Sequence, residues 1–381
     1  MNTRKQRNEN CKLPFVILTV YLKFSSFSIY FAALSLRLMM KQLGNTLYIT
    51  KQGSYVSKDG TNIVVSLERE ELLRLPVHTI EGLVCFGNVT VSPFALGLCG
   101  ENRVTISFLS ENGRFLARST GPQTGNILLR RAQHRSSTDP EKTSLAARSF
   151  VSAKIANART ILRRYQRDHT LAEHSLIPQT VDLLAHSLGE LKSLLPLETI
   201  RGIEGDAARL YFRVFDELIM INKSDFYFRE RSRRPPLDNV NSLLSFFYTL
   251  LAHDTTAACE AIGLDPQMGF LHADRPGRPS LALDLMEEFR PWFVDRFVLT
   301  RINLGELKSN DFLKRETGGV EIKEDTRREI IKKWQERKKE TIQHPFLGET
   351  VPMGLLPFLQ AQLFSRWLRG DIDTYPPFFY R

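Results

Sequence analysis

Residues 270–291 read FLHADRPGRPSLALDLMEEFRP and combine a loop histidine with a short acidic helix. Two prolines and a glycine at 276–279 disfavour regular structure just after His272. Ser280 is predicted to cap the amphipathic helix that follows. Asp284 and Glu287 are three residues apart on that helix, so their carboxylates project from the same side. One imidazole from a loop and two carboxylates from a helix can converge on a divalent cation.

A further candidate carboxylate lies at Glu204, in a predicted helix where Gly202 and Gly205 flank it. Each glycine costs about 1 kcal/mol relative to alanine in a helix, and it lets another backbone or a ligand approach closely. Glu204 is therefore suited to a bound ion or phosphate. A close helix crossing beside a solvated Glu204 explains the two glycines equally well.

Divalent-metal nucleases and DNA strand-transfer enzymes hold Mg²⁺ or Mn²⁺ with carboxylates, sometimes together with a histidine. The candidate ligand and catalytic residues here are Glu204, His272, Asp284 and Glu287. The histidine makes Mn²⁺ at least as suitable as Mg²⁺. Spacing alone does not show that the helix near 204 meets the one near 285, and a histidine in a proline-rich loop can also be structural.

The composition describes a globular chain of 381 residues with room for two domains. Its net charge of +10 and pI near 9.5 favour an anionic partner such as nucleic acid. Six Lys or Arg residues against one Glu fall in the first forty positions, so DNA binding has to rest on local patches. The four cysteines are scattered, which argues against a zinc or disulfide framework and predicts a reducing cytoplasm.

The fold class is predicted to be α+β, with a small β-rich domain at 40–121 before a larger all-α domain at 122–381. Residues 1–39 form an extension whose basic start and interrupted apolar runs suggest a start codon assigned too early, with Met39 or Met40 as the true first residue. A disordered or membrane-associated leader is the alternative. Nothing later in the chain requires a membrane.

Periodicity places the individual elements. Short strands are predicted near 47–50, 55–57, 62–67, 77–80, 82–87, 104–109 and 114–118, with a hairpin turn at 111–113 and a helix near 92–99. Helices are predicted near 124–136, 142–168, 175–192, 197–219, 238–262, 281–304, 323–341 and 355–370, with a hairpin at 313–322. Pro291 should kink or split the sixth of these helices. The aromatic tail at 373–381 either packs on its own domain or docks on a partner.

Basic and aromatic residues cluster at 226–236, FYFRERSRRPP, a composition suited to phosphate contacts and base stacking. The candidate DNA-binding residues are Arg229, Arg231, Arg233 and Arg234, together with Arg275 and Arg278 near the loop histidine. An exposed basic loop is the alternative for the first group. Arg290 follows Glu287 by one turn and is placed to orient a carboxylate through an ion pair. Asn241 and Tyr248, seven residues apart on one helix face, are candidate site-lining residues.

Four blocks in order resemble the CRISPR-associated protein one family, the integrase and DNase subunit of spacer acquisition. They are GIEGDAARLYF at 202–212, RPPLDNVNSLLSF at 234–246, GLDPQMGFLH at 263–272 and SLALDLMEEFRP at 280–291. The resemblance runs from about residue 40 to the end of the chain. The closing Tyr-Pro-Pro-Phe is similar to the subtype I-C branch.

This resemblance implies that Glu204, His272 and Glu287 are the metal ligands, and that Asp284 lines the site and assists. It implies a Mg²⁺- or Mn²⁺-dependent DNA endonuclease and integrase, which joins the 3′-OH ends of captured DNA to repeat boundaries. It also implies a homodimer formed through the β-rich domain and a bridging dimer of the small CRISPR-associated protein two. The alternatives are a stand-alone branched-DNA repair nuclease and an inactive DNA-binding assembly subunit.

Overall fold

The computed structural model describes residues 46–80, 82–110, 115–121, 127–316 and 318–381. The N-terminal extension at 1–39 and the hairpin turn at 111–113 lie outside these ranges. Within them, a β-rich region is followed by a mostly helical one, so the predicted α+β class is confirmed.

The β-rich region consists of two four-stranded sheets. Its strands are β1 Thr46–Ile49, β2 Tyr55–Asp59, β3 Asn62–Leu67, β4 Glu70–Pro76, β5 Gly82–Phe86, β6 Thr90–Val91, β7 Thr105–Leu109 and β8 Phe115–Ser119. One sheet has the order β1-β5-β7-β8 and the other β4-β3-β2-β6. Helix α1, Pro93–Glu101, lies close to the predicted helix near 92–99, and the hydroxyl of its N-cap Ser92 accepts from the N–H of Ala95.

The strand predicted at 77–80 is wrong. Residues 70–76 form the strand β4 instead, and Val77–Thr79 is a single 3₁₀ turn after it. Strand β4 lies at the edge of its sheet, and among the described strands it pairs only with β3. Its charged residues Glu70, Glu71 and Arg74 suit an exposed edge, and they conceal the hydrophobic alternation that identifies a strand.

The helical region follows the predicted order closely. Its helices are α2 Ile127–Ser137, α3 Pro140–Asp168, α4 Ile177–Glu190, α5 Leu197–Arg213, α6 Asn239–Ile262, α7 Ser280–Met286, α8 Arg296–Asn303, α9 Glu324–Lys339 and α10 Leu356–Arg369. The predicted hairpin is present as β9 Phe312–Lys314 and β10 Val320–Ile322. A second small hairpin, β11 Thr341–Gln343 with β12 Thr350–Pro352, was not predicted.

The helix predicted at 281–304 is divided, as expected from Pro291. Helix α7 ends at Met286, and a π-helical turn at Arg290–Asp295 leads into α8. Proline has no N–H to donate and disrupts the regular i→i−4 hydrogen-bonding pattern. This break is buried, with the Trp292 side chain fully enclosed. Ser280 is not the predicted N-cap, because it is already helical and its hydroxyl donates to the carbonyl of Ala273.

The C-terminal tail packs on its own domain. Phe378 is completely buried and stacks on Trp292 at a centroid distance of 5.1 Å. The backbone of the tail is held by Asn157 of α3, whose amide N–H₂ donates to Phe378 O and whose oxygen accepts from Tyr380 N. The same amide donates to the carbonyl of Glu288, next to α7. The tail therefore joins α3 to the segment that carries the candidate site.

Glu288 is a fully buried carboxylate that receives hydrogen bonds from Tyr375, Gln360 and the N–H of Phe378. Burial raises its pKa to about 8, and these three hydrogen bonds only partly oppose that rise.

A pH-dependent effect on stability follows from Glu288. The favourable contribution of a carboxyl with a raised folded-state pKa is complete below the unfolded value of 4.5 and is lost as the pH rises towards about 8. Glu288→Gln removes this titration. We expect the unfolding free energy of the wild type, relative to Glu288→Gln, to fall by about 4 kcal/mol between these pH values. Chemical denaturation in EDTA at several pH values measures this, and a constant difference would contradict it.

Candidate metal centre

Glu204 lies in the middle of α5, and its side chain is 26% exposed. A Cβ added at Gly202 or Gly205 would meet no atom of another described element within 4 Å, so no close crossing with a described helix explains the two glycines. They leave open space beside Glu204 instead. A cavity of about 230 Å³ adjoins it, with polar groups from Lys154, Glu204, Arg231, Tyr248, Arg290 and Asp295 in its wall.

Asp284 organises the histidine loop from inside the protein. Its carboxylate is fully buried and accepts from the backbone N–H groups of Phe270, Leu271 and His272. It also lies 2.7 Å from His272 Nδ1. This contact makes Nδ1 the protonated nitrogen of the neutral ring and leaves Nε2 with a free lone pair. Asp284 therefore orients the imidazole. Both of its own carboxylate oxygens are already occupied by hydrogen bonds from the histidine loop.

A second contact fixes the same loop from α5. Arg201 donates from Nε to the carbonyl of Leu271 at 2.7 Å. Arg201 lies one turn before Glu204 on the same helix face. The loop that presents His272 is thus joined to both carboxylate-bearing helices, at Arg201 and at Asp284.

The Glu287 carboxylate is also buried, unlike that of Glu204, and its side chain is only 3% exposed. Its Oε1 lies 3.2 Å from Arg290 Nη2 and 3.9 Å from His272 Nε2. Its Oε2 lies 2.7 Å from Lys154 Nζ but makes no well-aligned hydrogen bond. Burial opposes its charge, yet the positive charges of Arg290 and Lys154 outweigh burial and hold the pKa of Glu287 well below its usual value.

Lys154 of α3 lies between the carboxylates of Glu204 and Glu287. Its Nζ donates to Glu204 Oε1 and also contacts Glu287 Oε2. Burial favours the neutral amine, but Glu287 and Glu204 raise the pKa of Lys154 above its ordinary value. One ammonium therefore lies between two of the predicted ligands.

The structure thus brings Glu204, His272 and Glu287 to one place, with Asp284 behind the histidine. In the described part of the chain, no group of three or more His, Cys, Asp and Glu side chains is arranged closely enough to hold a metal ion as it stands. Lys154 occupies the space between the two carboxylates. The donor set nevertheless fits Mg²⁺ or Mn²⁺, because it offers carboxylate oxygens and one imidazole nitrogen, and the buried Glu287 Oε2 makes no well-aligned hydrogen bond.

Comparison with protein families shows where the chain belongs. The family described as CRISPR associated protein Cas1 matches residues 47–336. This chain belongs to the Cas1 family. A relative from Chlorobaculum tepidum, the CRISPR-associated endonuclease Cas1 1, is 51% identical over 343 residues, which cover 90% of this chain and all of the relative.

Solved structures share the Cas1 fold with this chain. A CAS1 protein from Thermotoga maritima superposes with a TM-score of 0.75 at 23% identity, over 88% of this chain and 100% of that one. A chain from a Cas6-RT-Cas1–Cas2 complex gives a TM-score of 0.75 at 21% identity, over 89% of this chain and 36% of that one. None of the helices in the described ranges of this Cas1-family chain is long and apolar enough to cross a membrane.

The candidate DNA-binding arginines of this Cas1-family chain have three kinds of surroundings. Arg231 and Arg233 line the cavity, whereas Arg229, Arg234 and Arg275 are exposed outside its wall. The remaining one, Arg278, is partly buried. Burial lowers its pKa, and the nearby positive charges of Arg275, Arg290 and Arg233 lower it further. Arg233, Arg275, Arg278 and Arg290 therefore lie close enough to one another to group positive charge beside the cavity, which we call its mouth.

Asn241 and Tyr248 have different surroundings. Asn241 is fully buried, and its side-chain oxygen accepts from Arg231 Nη1 and from the N–H of Ser232, so it shapes the arginine loop and lies outside the cavity wall. Tyr248 does line the cavity, where its hydroxyl donates to Asp295 at 2.5 Å and Arg290 lies 4.9 Å above its ring.

Sequence reasoning missed two site residues of this Cas1-family chain, Lys154 and Asp295. Asp295 is buried, and burial raises its pKa to about 7 despite a hydrogen bond from Tyr248. Lys154 had a visible signal, because it stands on the apolar face of α3 between Val151 and Ala158 at helical spacing. A single charged residue on such a face is rarely buried without a partner.

Proposed function

We propose that this chain is a divalent-metal-dependent DNA endonuclease and integrase of CRISPR spacer acquisition. It joins the 3′-OH ends of captured DNA to repeat boundaries by transesterification. The observation that carries the proposal is the convergence of Glu204 and Glu287 on one cationic nitrogen, with His272 Nε2 beside Glu287. The Chlorobaculum tepidum relative is named as an endonuclease, which supports the nuclease class.

Glu204, His272 and Glu287 would hold the Mg²⁺ or Mn²⁺. A bound ion supplies Lewis-acid polarisation of the scissile phosphate and neutralises developing charge. Asp284 keeps the proton of His272 on Nδ1, so that Nε2 faces the site. Arg290 fixes the orientation of Glu287 through their ion pair. Transesterification requires a bound metal and correctly positioned reacting ends, so a covalent enzyme intermediate is not required.

The arginines at the mouth position the DNA. Arg233 and Arg278 bring positive charge to the entrance, and the resulting field favours a phosphodiester backbone there. Arg290, deeper in the site, is held by Glu287 and lies over Tyr248. A backbone phosphate that binds at the entrance would therefore lie close to Glu204 and Glu287.

The proposed assembly contains a homodimer formed through the β-rich region. Two such homodimers would flank a dimer of the small CRISPR-associated protein two, Cas2. Membership of the Cas1 family supports this assembly. The Cas6-RT-Cas1–Cas2 complex supports a Cas2 partner as well, because one of its chains shares the fold of this protein.

The decisive experiment incubates the full chain with Mn²⁺, a labelled DNA fragment and a supercoiled plasmid carrying a CRISPR repeat. We expect joined product with the wild type and only background with Glu204→Gln and His272→Ala. Asp206→Asn is the matched control, because this carboxylate lies on the same helix with its side chain 70% exposed. A fragment ending in a 3′-deoxynucleotide should fail to join, because it lacks the attacking hydroxyl.

The alternatives give different results in the same assay. Cutting of branched DNA without any joining would favour a repair nuclease. Equal product from the wild type and Glu204→Gln would remove the catalytic claim and favour an inactive assembly subunit.

A further inference from the structure

Lys154 has no role in the reaction proposed above, yet it lies at the centre of the site. It projects from α3, which carries none of the predicted ligands, and its side chain is only 15% exposed. Its ammonium contacts one oxygen of Glu204 and one of Glu287. Because a buried carboxylate is costly without a positive partner, this lysine makes the pair of acids compatible with a folded protein.

The same oxygens are those that a divalent cation would need. Glu287 Oε1 faces Arg290 and His272, whereas Oε2 lies 2.7 Å from Lys154 Nζ and makes no well-aligned hydrogen bond. An ammonium and a metal ion cannot occupy one position between two carboxylates, and two positive charges at close range repel each other. The lysine side chain has a flexible four-carbon stem, so its charge can withdraw while the stem stays packed.

We propose that Lys154 is an internal counter-cation that holds Glu204 and Glu287 together in the metal-free protein and competes with the divalent metal for them. This inference rests on the proposed function, since it assumes that these carboxylates bind a metal. Lys154 is then a positioning residue. It keeps the site assembled before loading, and it weakens metal binding because it must be displaced.

The proposal predicts opposite effects on stability and on metal affinity. In the full chain, Lys154→Met keeps the length of the apolar stem but removes the charge. We expect this variant to unfold at lower temperature than the wild type in EDTA, because Glu204 and Glu287 both lose the ammonium between them, although Glu287 keeps its ion pair with Arg290. We expect it to bind Mn²⁺ about tenfold more tightly by isothermal titration calorimetry without DNA, because the competing charge is gone. A merely structural role would lower both quantities.

Three further variants complete the design. Arg163→Met removes a cation from the same helix at a position away from the two carboxylates and should leave Mn²⁺ affinity unchanged. Lys154→Gln can still donate to one carboxylate, and it should also bind Mn²⁺ more tightly than the wild type if Lys154→Met does not fold. Glu204→Gln should bind Mn²⁺ more weakly than the wild type.

The outcomes separate this inference from the proposed function. If Mn²⁺ affinity in the Lys154 variants equals or falls below that of a wild type that binds Mn²⁺, the counter-cation role is overturned while the metal site stands. If the wild type and Glu204→Gln both fail to bind Mn²⁺, the metal site itself is lost.

Discussion

Asp284→Asn is expected to lower the unfolding free energy by about 4 kcal/mol and the affinity for Mn²⁺ by about 100-fold. The native carboxylate accepts three backbone N–H groups, those of Phe270, Leu271 and His272, and it also contacts the imidazole. An amide has the same shape but only one accepting oxygen. Its N–H₂ group must face donors on one side, so at least one buried N–H loses its partner.

The loss of metal affinity has a separate cause. Asp284 decides which nitrogen of His272 carries the proton, and an amide oxygen is a weaker partner for that N–H. If the amide instead turns its N–H₂ group towards the ring, Nε2 becomes protonated and cannot coordinate. We therefore expect activity to fall together with affinity, because the ligand is present but wrongly oriented.

Asp274→Asn is the matched control for this change. Asp274 lies in the same loop and is exposed, and its carboxylate accepts one long hydrogen bond, 3.4 Å from Gly269 N. Its replacement should alter stability by less than about 0.5 kcal/mol. Urea denaturation in EDTA and calorimetric titration with Mn²⁺ measure the two effects. Similar values for both variants would show that Asp284 is not the organiser of the loop.

The sequence predicted those parts of the site that are encoded by short spacing. Asp284 and Glu287 lie one turn apart, and both point into the protein as the helical repeat requires. The ion pair between Arg290 and Glu287 follows from the same repeat, and it is present at 3.2 Å. The break at Pro291 was predictable because proline removes a donor from any helix.

Long-range contacts were not predictable in the same way. Fifty residues separate Lys154 from Glu204, and no local pattern indicates that their side chains meet. Strand β4 was missed because its edge position permits charged residues, which have a low preference for strands. Its pairing with β3, a contact between strands, is what makes this segment a strand. The composition of the tail was compatible with packing on its own domain or with docking on a partner. Its hydrogen bonds to the buried residues Asn157 and Glu288 show that it packs on its own domain.

Removal of the tail, residues 374–381, is expected to have the largest effect on stability, a loss of at least about 5 kcal/mol. Tyr375, Phe378 and Tyr380 are all buried in the native protein. Truncation exposes the Trp292 face on which Phe378 and Tyr380 stack. It also leaves Glu288 with Gln360 as its one remaining side-chain partner among the described residues. Thermal unfolding of the full chain and the truncated chain measures the loss.

Two single substitutions test whether packing of the tail is the cause. Phe378→Ala removes a fully buried ring and should cost about 4 kcal/mol. Phe379→Ala, the next residue, removes a ring that is 39% exposed and should cost less than about 1 kcal/mol. Because the Phe378 ring packs on Phe289 and Trp292, which follow Glu287 closely in the chain, Phe378→Ala should also weaken Mn²⁺ binding, whereas Phe379→Ala should not. Equal stability of the two variants would mean that the tail does not hold the site together.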